Sequence, residues 1–132
     1  PGYPKHLPGD LSAIASAEQK LKSIIPHRSV GTRFFLVNAA GPALLLGYSD
    51  MDGRAMKSVT VQIESAAEWA RVLDVDVLTG NGAIGRSLLG MPPRCCLICS
   101  EEAKSCARSG RHTLAELRAR IQKLLADCVR SP

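Results

Sequence analysis

Ala70-Arg71-Val72-Leu73-Asp74-Val75-Asp76-Val77-Leu78, followed by Thr79-Gly80-Asn81-Gly82, is the stretch on which the fold turns. Leu73, Val75 and Val77 occupy alternate positions, with Asp74 and Asp76 between them. That period predicts a strand over 70–78, apolar on one face and acidic on the other. Gly80-Asn81-Gly82 is a turn that leads into a short segment around Ile84. Upstream, Lys57 to Glu64 alternates in the same way, with Val59, Val61 and Ile63 set against Ser58, Thr60 and Gln62, and predicts another strand. Asp50-Met51-Asp52-Gly53 before it is a turn. Arg54 at the next ligand position, with no glutamate at the required distance, excludes a calcium loop.

Two further strand-like runs, Arg33 to Asn38 and Ala43 to Tyr48, flank Ala39-Ala40-Gly41-Pro42 and predict a hairpin. Helices bracket this β-rich centre. From Asp10, Leu11, Ile14, Leu21, Ile24 and Ile25 recur at helical spacing until Pro26 ends the pattern. Near the other end Thr113 and Glu116 form a capping box, and Leu114, Leu117, Ile121, Leu124, Leu125 and Cys128 line one helical face. The expectation is an α+β protein: a mostly antiparallel sheet with helices on one face and a Cys/His-rich loop, 94–112, before the C-terminal helix. A nucleotidyltransferase-like sheet is an analogy to that pattern.

At 132 residues the chain suits a single domain, 1–132, with one core. A hydrophobic share of 45% against 22% charged excludes a disordered chain. No run approaches the roughly 18 apolar residues of a membrane span. Residues 1–8 lack the basic-then-apolar pattern of a secretion signal, so a cytoplasmic location is expected. The first residue is not Met, which suggests a trimmed start. A net charge of +5 favours an anionic partner: nucleic acid, a polyphosphate or an acidic protein. Stacking aromatics that would support single-stranded nucleic acid are missing.

Three sets of residues could carry chemistry. Asp74 and Asp76, two apart on a strand, would present both carboxylates to one divalent cation, as magnesium sites for phosphoryl transfer do. The same pair also suits a solvent-facing strand with two surface acids. The spacing Cys96-x2-Cys99-x6-Cys106-x5-His112 offers three thiolates and an imidazole, a closed ligand set for structural zinc. Its alternative is a group of reduced, partly buried cysteines beside an exposed histidine; Cys95 could replace a neighbour, and Cys128 belongs to the core. The third set is basic: Lys5, Arg71, Arg86, Arg94, Lys104, Arg108 and Arg111. Arginine forks suit phosphate oxygens. No Gly-x4-Gly-Lys pattern accompanies them, which excludes a phosphate-loop enzyme.

Leu89-Gly90-Met91-Pro92-Pro93-Arg94, Cys96-Leu97-Ile98-Cys99 and Cys106-Ala107-Arg108-Ser109-Gly110-Arg111-His112-Thr113-Leu114 together resemble the C-terminal signature of the holo-citrate lyase synthases, or apo-citrate lyase phosphoribosyl-dephospho-CoA transferases. Asp74-Val75-Asp76-Val77-Leu78-Thr79 is similar to the family's Asp-Ile-Asp-Val-Leu-Thr block, and Pro1-Gly2 with Lys5 to its Pro-Gly-x-x-Lys element. Where the family usually reads His-Pro-x-Gly-Arg, this chain has Ala67-Glu68-Trp69-Ala70-Arg71. Ser87, Leu88 and Cys95 also stand where the family usually has basic, acidic and arginine residues.

The resemblance implies transfer of 2'-(5''-triphosphoribosyl)-3'-dephospho-CoA to a serine of the citrate lyase acyl carrier protein, with release of diphosphate. Asp74 and Asp76 would hold Mg2+ with Arg71 beside them as the catalytic set. Lys5, Arg86, Arg94 and Arg108 would bind substrate, and a pocket would join aspartates to arginines. The carrier protein and the triphosphoribosyl compound are then the expected partners, with no membrane and with nucleic acid disfavoured. Two rivals remain open: a catalytically idle carrier-protein or nucleotide-binding module, and a small zinc-stabilised nucleic-acid binder.

Overall fold

A computed structural model describes residues 6–26 and 30–130. Helix α1 spans Asp10–Ile24, and the hairpin of β1 (Thr32–Asn38) and β2 (Gly41–Gly47) follows. Helix α2 is Gly53–Ser65, and a 3-10 turn covers Trp69–Val72. A second hairpin pairs β3 (Val77–Thr79) with β4 (Gly82–Ile84), and a 3-10 turn at Arg86–Leu89 follows. The chain closes with the short α3 (Ala103–Ser109) and the long α4 (Leu114–Arg130). The expected α+β class and antiparallel pairing hold. The strands, however, form two separate two-stranded sheets among the described residues.

Two predicted strands are absent. Lys57–Glu64 lies inside α2. Asp52 caps that helix, its carboxylate accepting from the Ala55 N–H at 2.9 Å. The buried residues Met56, Val59, Thr60 and Ile63 recur three and four apart, so the same β-branched residues that alternate also lay down a helical stripe. Packing against the core decided between the two periods, overriding the weak strand preference of Val and Ile. Nor is 70–78 one strand. Its first residues belong to the 3-10 turn, residues 73–76 are extended outside either sheet, and only Val77 and Leu78 enter β3. Burial still alternates as read: Leu73 and Val77 are inside, Asp74 and Asp76 outside.

One core collects Leu7, Ala13 and Leu21 from the α1 region, Met56, Val59 and Ile63 from α2, then Ala70, Leu73 and Val77, and Leu125 and Cys128 from α4. Gly9 caps α1 at φ 92°, where a Cβ would sit 3.1 Å from the Leu125 carbonyl. Only glycine fits there without shifting α4. At the other end of the core, a Cβ on Gly53 would meet Thr79 Cγ2 at 2.6 Å, so the start of α2 lies hard against the second hairpin. The capping box opens α4 as predicted, Thr113 N–H giving to Glu116 at 2.7 Å and Glu116 N–H to Thr113 Oγ1 at 3.2 Å.

The first hairpin stands off this core. Every residue of β1 is exposed, Phe34 to 59%, while Leu46 and Tyr48 at the base of β2 reach inward. An ion pair ties it to α1: Arg33 gives two bonds of 2.9 Å to the Glu18 carboxylate, which also meets Lys22 at 2.8 Å. Arg33 and then Lys22 hold the Glu18 carboxyl down from 4.5 to about 2. A depressed carboxyl contributes stability above its unfolded value and loses it as pH falls through the folded one. The carboxyl resonance of Glu18 should therefore titrate near 2, not near 4.5, and Arg33→Ala should raise that midpoint.

Candidate functional site

Helix α2 carries two charged residues on its inner face, two turns apart, and both turn toward the extended segment 73–76. Glu64 Oε1 accepts from the Val75 N–H at 2.9 Å, and Lys57 Nζ gives to the Val75 carbonyl at 2.7 Å. Both side chains are buried, Glu64 to 4% exposure of the residue. One peptide unit after another is thus held by side chains where a sheet would have used a neighbouring strand. Val75 faces α2, and Asp74 and Asp76 on either side of it are exposed.

Arginines frame the same segment. Arg94 gives one Nη to Asp74 Oδ1 at 2.8 Å and the other to the Arg71 and Leu73 carbonyls at 2.9 and 2.6 Å. Its fork fixes the turn into the extended run and one of its two carboxylates. Arg86 is committed to Glu64 at 2.6 Å, and Arg94 lies 3.9 Å from the other oxygen of Glu64. Glu64 is therefore the shared counter-charge of two arginines that sequence reading assigned to substrate.

Arg71 turns the other way. It bonds the Cys96 carbonyl at 2.6 Å and Glu68 at 2.8 Å, and Glu68 also pairs with Arg120 of α4. Arg71 opens onto a cleft of about 640 Å³ walled by Cys96 to Ser100 and by Glu116, Ala119 and Arg120. Asp74 and Asp76 do not line that cleft; they are exposed, and Asp74 meets Arg94. Ala70, where the family has glycine, is 1% exposed, its methyl group turned into the core. Arg108 is exposed on α3. Lys5, and the Pro1-Gly2 element, lie outside the described residues.

The Cys/His set does come together. Cys96 Sγ, Cys99 Sγ, Cys106 Sγ and one His112 ring nitrogen lie within 4.8 Å of one another. Cys99 and Cys106 are 3.4 Å apart, and His112 Nε2 is 3.3 Å from Cys99. Thiolates 2.3 Å from a tetrahedral zinc sit roughly 3.8 Å from each other, so the donors are gathered at the scale such an ion demands. Cys96 is buried, which opposes its ionisation, but N–H groups of Cys99 and Ile98, with bonds from the Cys106 and Cys99 thiols, together lower it. Burial first, then its bonds to Cys99 and Cys96, push the Cys106 thiol up to about 12. Three crowded thiols resist ionising together; a dication among them removes the conflict. Backbone bonds close the loop: Cys96 N–H bonds the Glu101 carbonyl at 2.7 Å, and Ala103 N–H bonds that of Arg94 at 2.8 Å. Gly110, at φ 59°, ends α3 and turns the chain to His112.

Sequence reading missed Lys57 and Glu64. The signal was present: with Thr60 they fall at positions 57, 60 and 64, one face of a helix, once 57–64 is recognised as helical. Charged residues on an inner stripe are then conspicuous.

The α+β fold thus presents an exposed carboxylate pair, one member of it paired with Arg94, and a thiol–imidazole group that could hold a metal ion. The family model described as apo-citrate lyase phosphoribosyl-dephospho-CoA transferase matches residues 1–128. Proteins of that name from Escherichia coli O8 (strain IAI1) and Shigella boydii serotype 18 are each 39% identical to this chain over 93 residues, 70% of it and 50% of themselves. The chain belongs to the apo-citrate lyase phosphoribosyl-dephospho-CoA transferase family. It spans about half the length of the curated relatives it matches. No helix among the described residues is long and apolar enough to cross a membrane.

Proposed function

We propose that this chain transfers the 2'-(5''-triphosphoribosyl)-3'-dephospho-CoA group to a serine of the citrate lyase acyl carrier protein, by nucleotidyltransferase-type chemistry. The observation that carries the reading is the pair Asp74 and Asp76, turned outward from a backbone fixed by Glu64, Lys57 and Arg94, in a chain of this family. The serine oxygen bonds the phosphorus next to the ribose, the bond from that phosphorus to the outer diphosphate breaks, and the hydroxyl proton is released. Asp74 and Asp76 supply the hard oxygen donors that magnesium accepts, and the ion would offset charge on the triphosphate and departing diphosphate. Arg94 sits where it can share Asp74 with that charge. Arg71 and Arg120 face the neighbouring cleft, where guanidinium groups suit the remaining phosphates of the CoA portion. The net charge of +5 favours an acidic carrier protein as the docking partner.

Cys96, Cys99, Cys106 and His112 would hold one zinc ion with a structural role, joining the knuckle to the start of α4. A chain purified without chelator should carry one zinc by elemental analysis, and its removal should lower the melting temperature. Cys106→Ser should lose the zinc and lower the melting temperature together. A cytoplasmic location fits this thiol cluster, since reducing compartments keep such groups free.

The function is tested by intact mass. With magnesium, the triphosphoribosyl precursor and apo acyl carrier protein, the carrier should gain the mass of the prosthetic group, and diphosphate should appear in equal amount. A folded chain that leaves the carrier's mass unchanged sinks the proposal.

A further inference from the structure

Nothing in a sheet supports residues 73–76, yet the two carboxylates they carry must be aimed. Lys57 and Glu64 grip the Val75 peptide groups at both ends, N–H to Glu64 at 2.9 Å and C=O to Lys57 at 2.7 Å. Seven residues apart on α2, they lie about 10 Å apart along the helix axis, on nearly the same face. Both are buried, at 6% and 4% exposure, where a long charged side chain is costly unless its position is used. Glu64 is further locked by Arg86 at 2.6 Å. A residue whose N–H and C=O are both fixed has little freedom left in its φ and ψ, and the Cα–Cβ directions of its two neighbours follow.

We propose that Lys57 and Glu64 are positioning residues that set the direction of the Asp74 and Asp76 carboxylates toward a divalent cation. The inference rests on the reading of those aspartates as the cation-holding pair. Neither residue meets substrate; each acts through the backbone of Val75. Groups that hold a metal's ligands in place without touching the ion typically change its affinity by about 10–100-fold when removed.

The sign of the Lys57 effect separates positioning from plain electrostatics. If Lys57 acted only through its charge, deleting that charge would tighten cation binding, because one positive group near the site is gone. Positioning requires the reverse. Lys57→Met keeps the volume and the apolar stem and removes the charge together with the bond to Val75.

The experiment measures Mn2+ binding by the loss of the free-ion electron paramagnetic resonance signal, on the full chain supplied with one equivalent of zinc. Wild type, Lys57→Met, Lys57→Arg, Glu64→Gln and Asp76→Asn are compared, with melting temperatures alongside. Lys57→Met should weaken Mn2+ binding by about tenfold or more, and Glu64→Gln, which keeps an acceptor oxygen for Val75, should weaken it less. Unchanged or tighter binding in folded Lys57→Met, with Asp76→Asn weakened, overturns the positioning role and leaves the aspartates in place. Unchanged binding in Asp76→Asn overturns the reading of the aspartates themselves. If Lys57→Met does not fold, Lys57→Arg decides: it keeps the charge but moves the donor, so weaker binding supports positioning and wild-type binding overturns it.

Discussion

Asp76→Asn should slow prosthetic-group transfer by about a thousandfold while leaving the fold intact. Asparagine keeps the shape of aspartate and one acceptor oxygen, so the change is essentially the loss of one negative charge from a surface position. A cation held by two carboxylates loses half its anionic donors, and stabilisation of the triphosphate charge falls with it. Such electrostatic help is worth several kcal/mol, and at about 1.4 kcal/mol per decade this gives roughly three decades in rate. Asp74→Asn should lose a similar amount, because its side chain is 83% exposed and contributes little to packing. It also leaves Arg94 without a charged partner at 2.8 Å, so excess magnesium should rescue it less well than Asp76→Asn. The measurement is the single-turnover rate of carrier mass gain across a magnesium titration. Rates within tenfold of wild type for both variants would remove the aspartates from the mechanism.

Glu64→Ala is expected to cost about 3–5 kcal/mol of stability, the range for breaking a buried ion pair from one side. The truncation leaves the Val75 N–H without an acceptor and Arg86 without the oxygen 2.6 Å away. It also opens space beside Ile63 and Thr60, which are both buried. The comparison that isolates burial is Asp127→Ala, which breaks an exposed pair with Arg130 in the last turns of α4. That change should cost less than about 1 kcal/mol. Urea unfolding followed by circular dichroism reads both, and the midpoint should shift with little change in slope. Since small proteins hold only about 5–15 kcal/mol in total, Glu64→Ala should be largely unfolded at temperatures the wild type tolerates. A shift as small as that of Asp127→Ala would mean that Glu64 is not the hub its contacts describe.

The elements legible in the sequence were those with local punctuation. Pro26 ends the α1 pattern, Gly80-Asn81-Gly82 makes the turn of the second hairpin, and the Thr113 to Glu116 box starts α4. The knuckle was legible for the same reason, because four ligands within 96–112 need only local folding to meet. What could not be read depends on distant partners. The 57–64 run satisfies a strand period and a helix period at once, and the choice was made by α1, the 3-10 turns and the second hairpin packing around it. Residues 73–76 look like a strand because their burial alternates, but no strand among the described residues lies alongside to complete a ladder. The error in α2 then hid Lys57 and Glu64, whose inward placement is visible only on a helix. Arg86 shows the converse limit: its charge suggested phosphate, and only tertiary structure reveals its bond to Glu64.

The Val75 clamp has a bearing on how the site can move. In a sheet, the amide of a central residue is released when a strand peels from its edge, a small and local event. Here the Val75 N–H is released only when Glu64 lets go, and Glu64 belongs to the second half of a helix whose inner face also carries Val59 and Ile63 of the core. Fraying of the second half of α2 would therefore also free the carboxylate surface. A site suspended in this way stays aimed between encounters, and loses its aim all at once when the helix gives way.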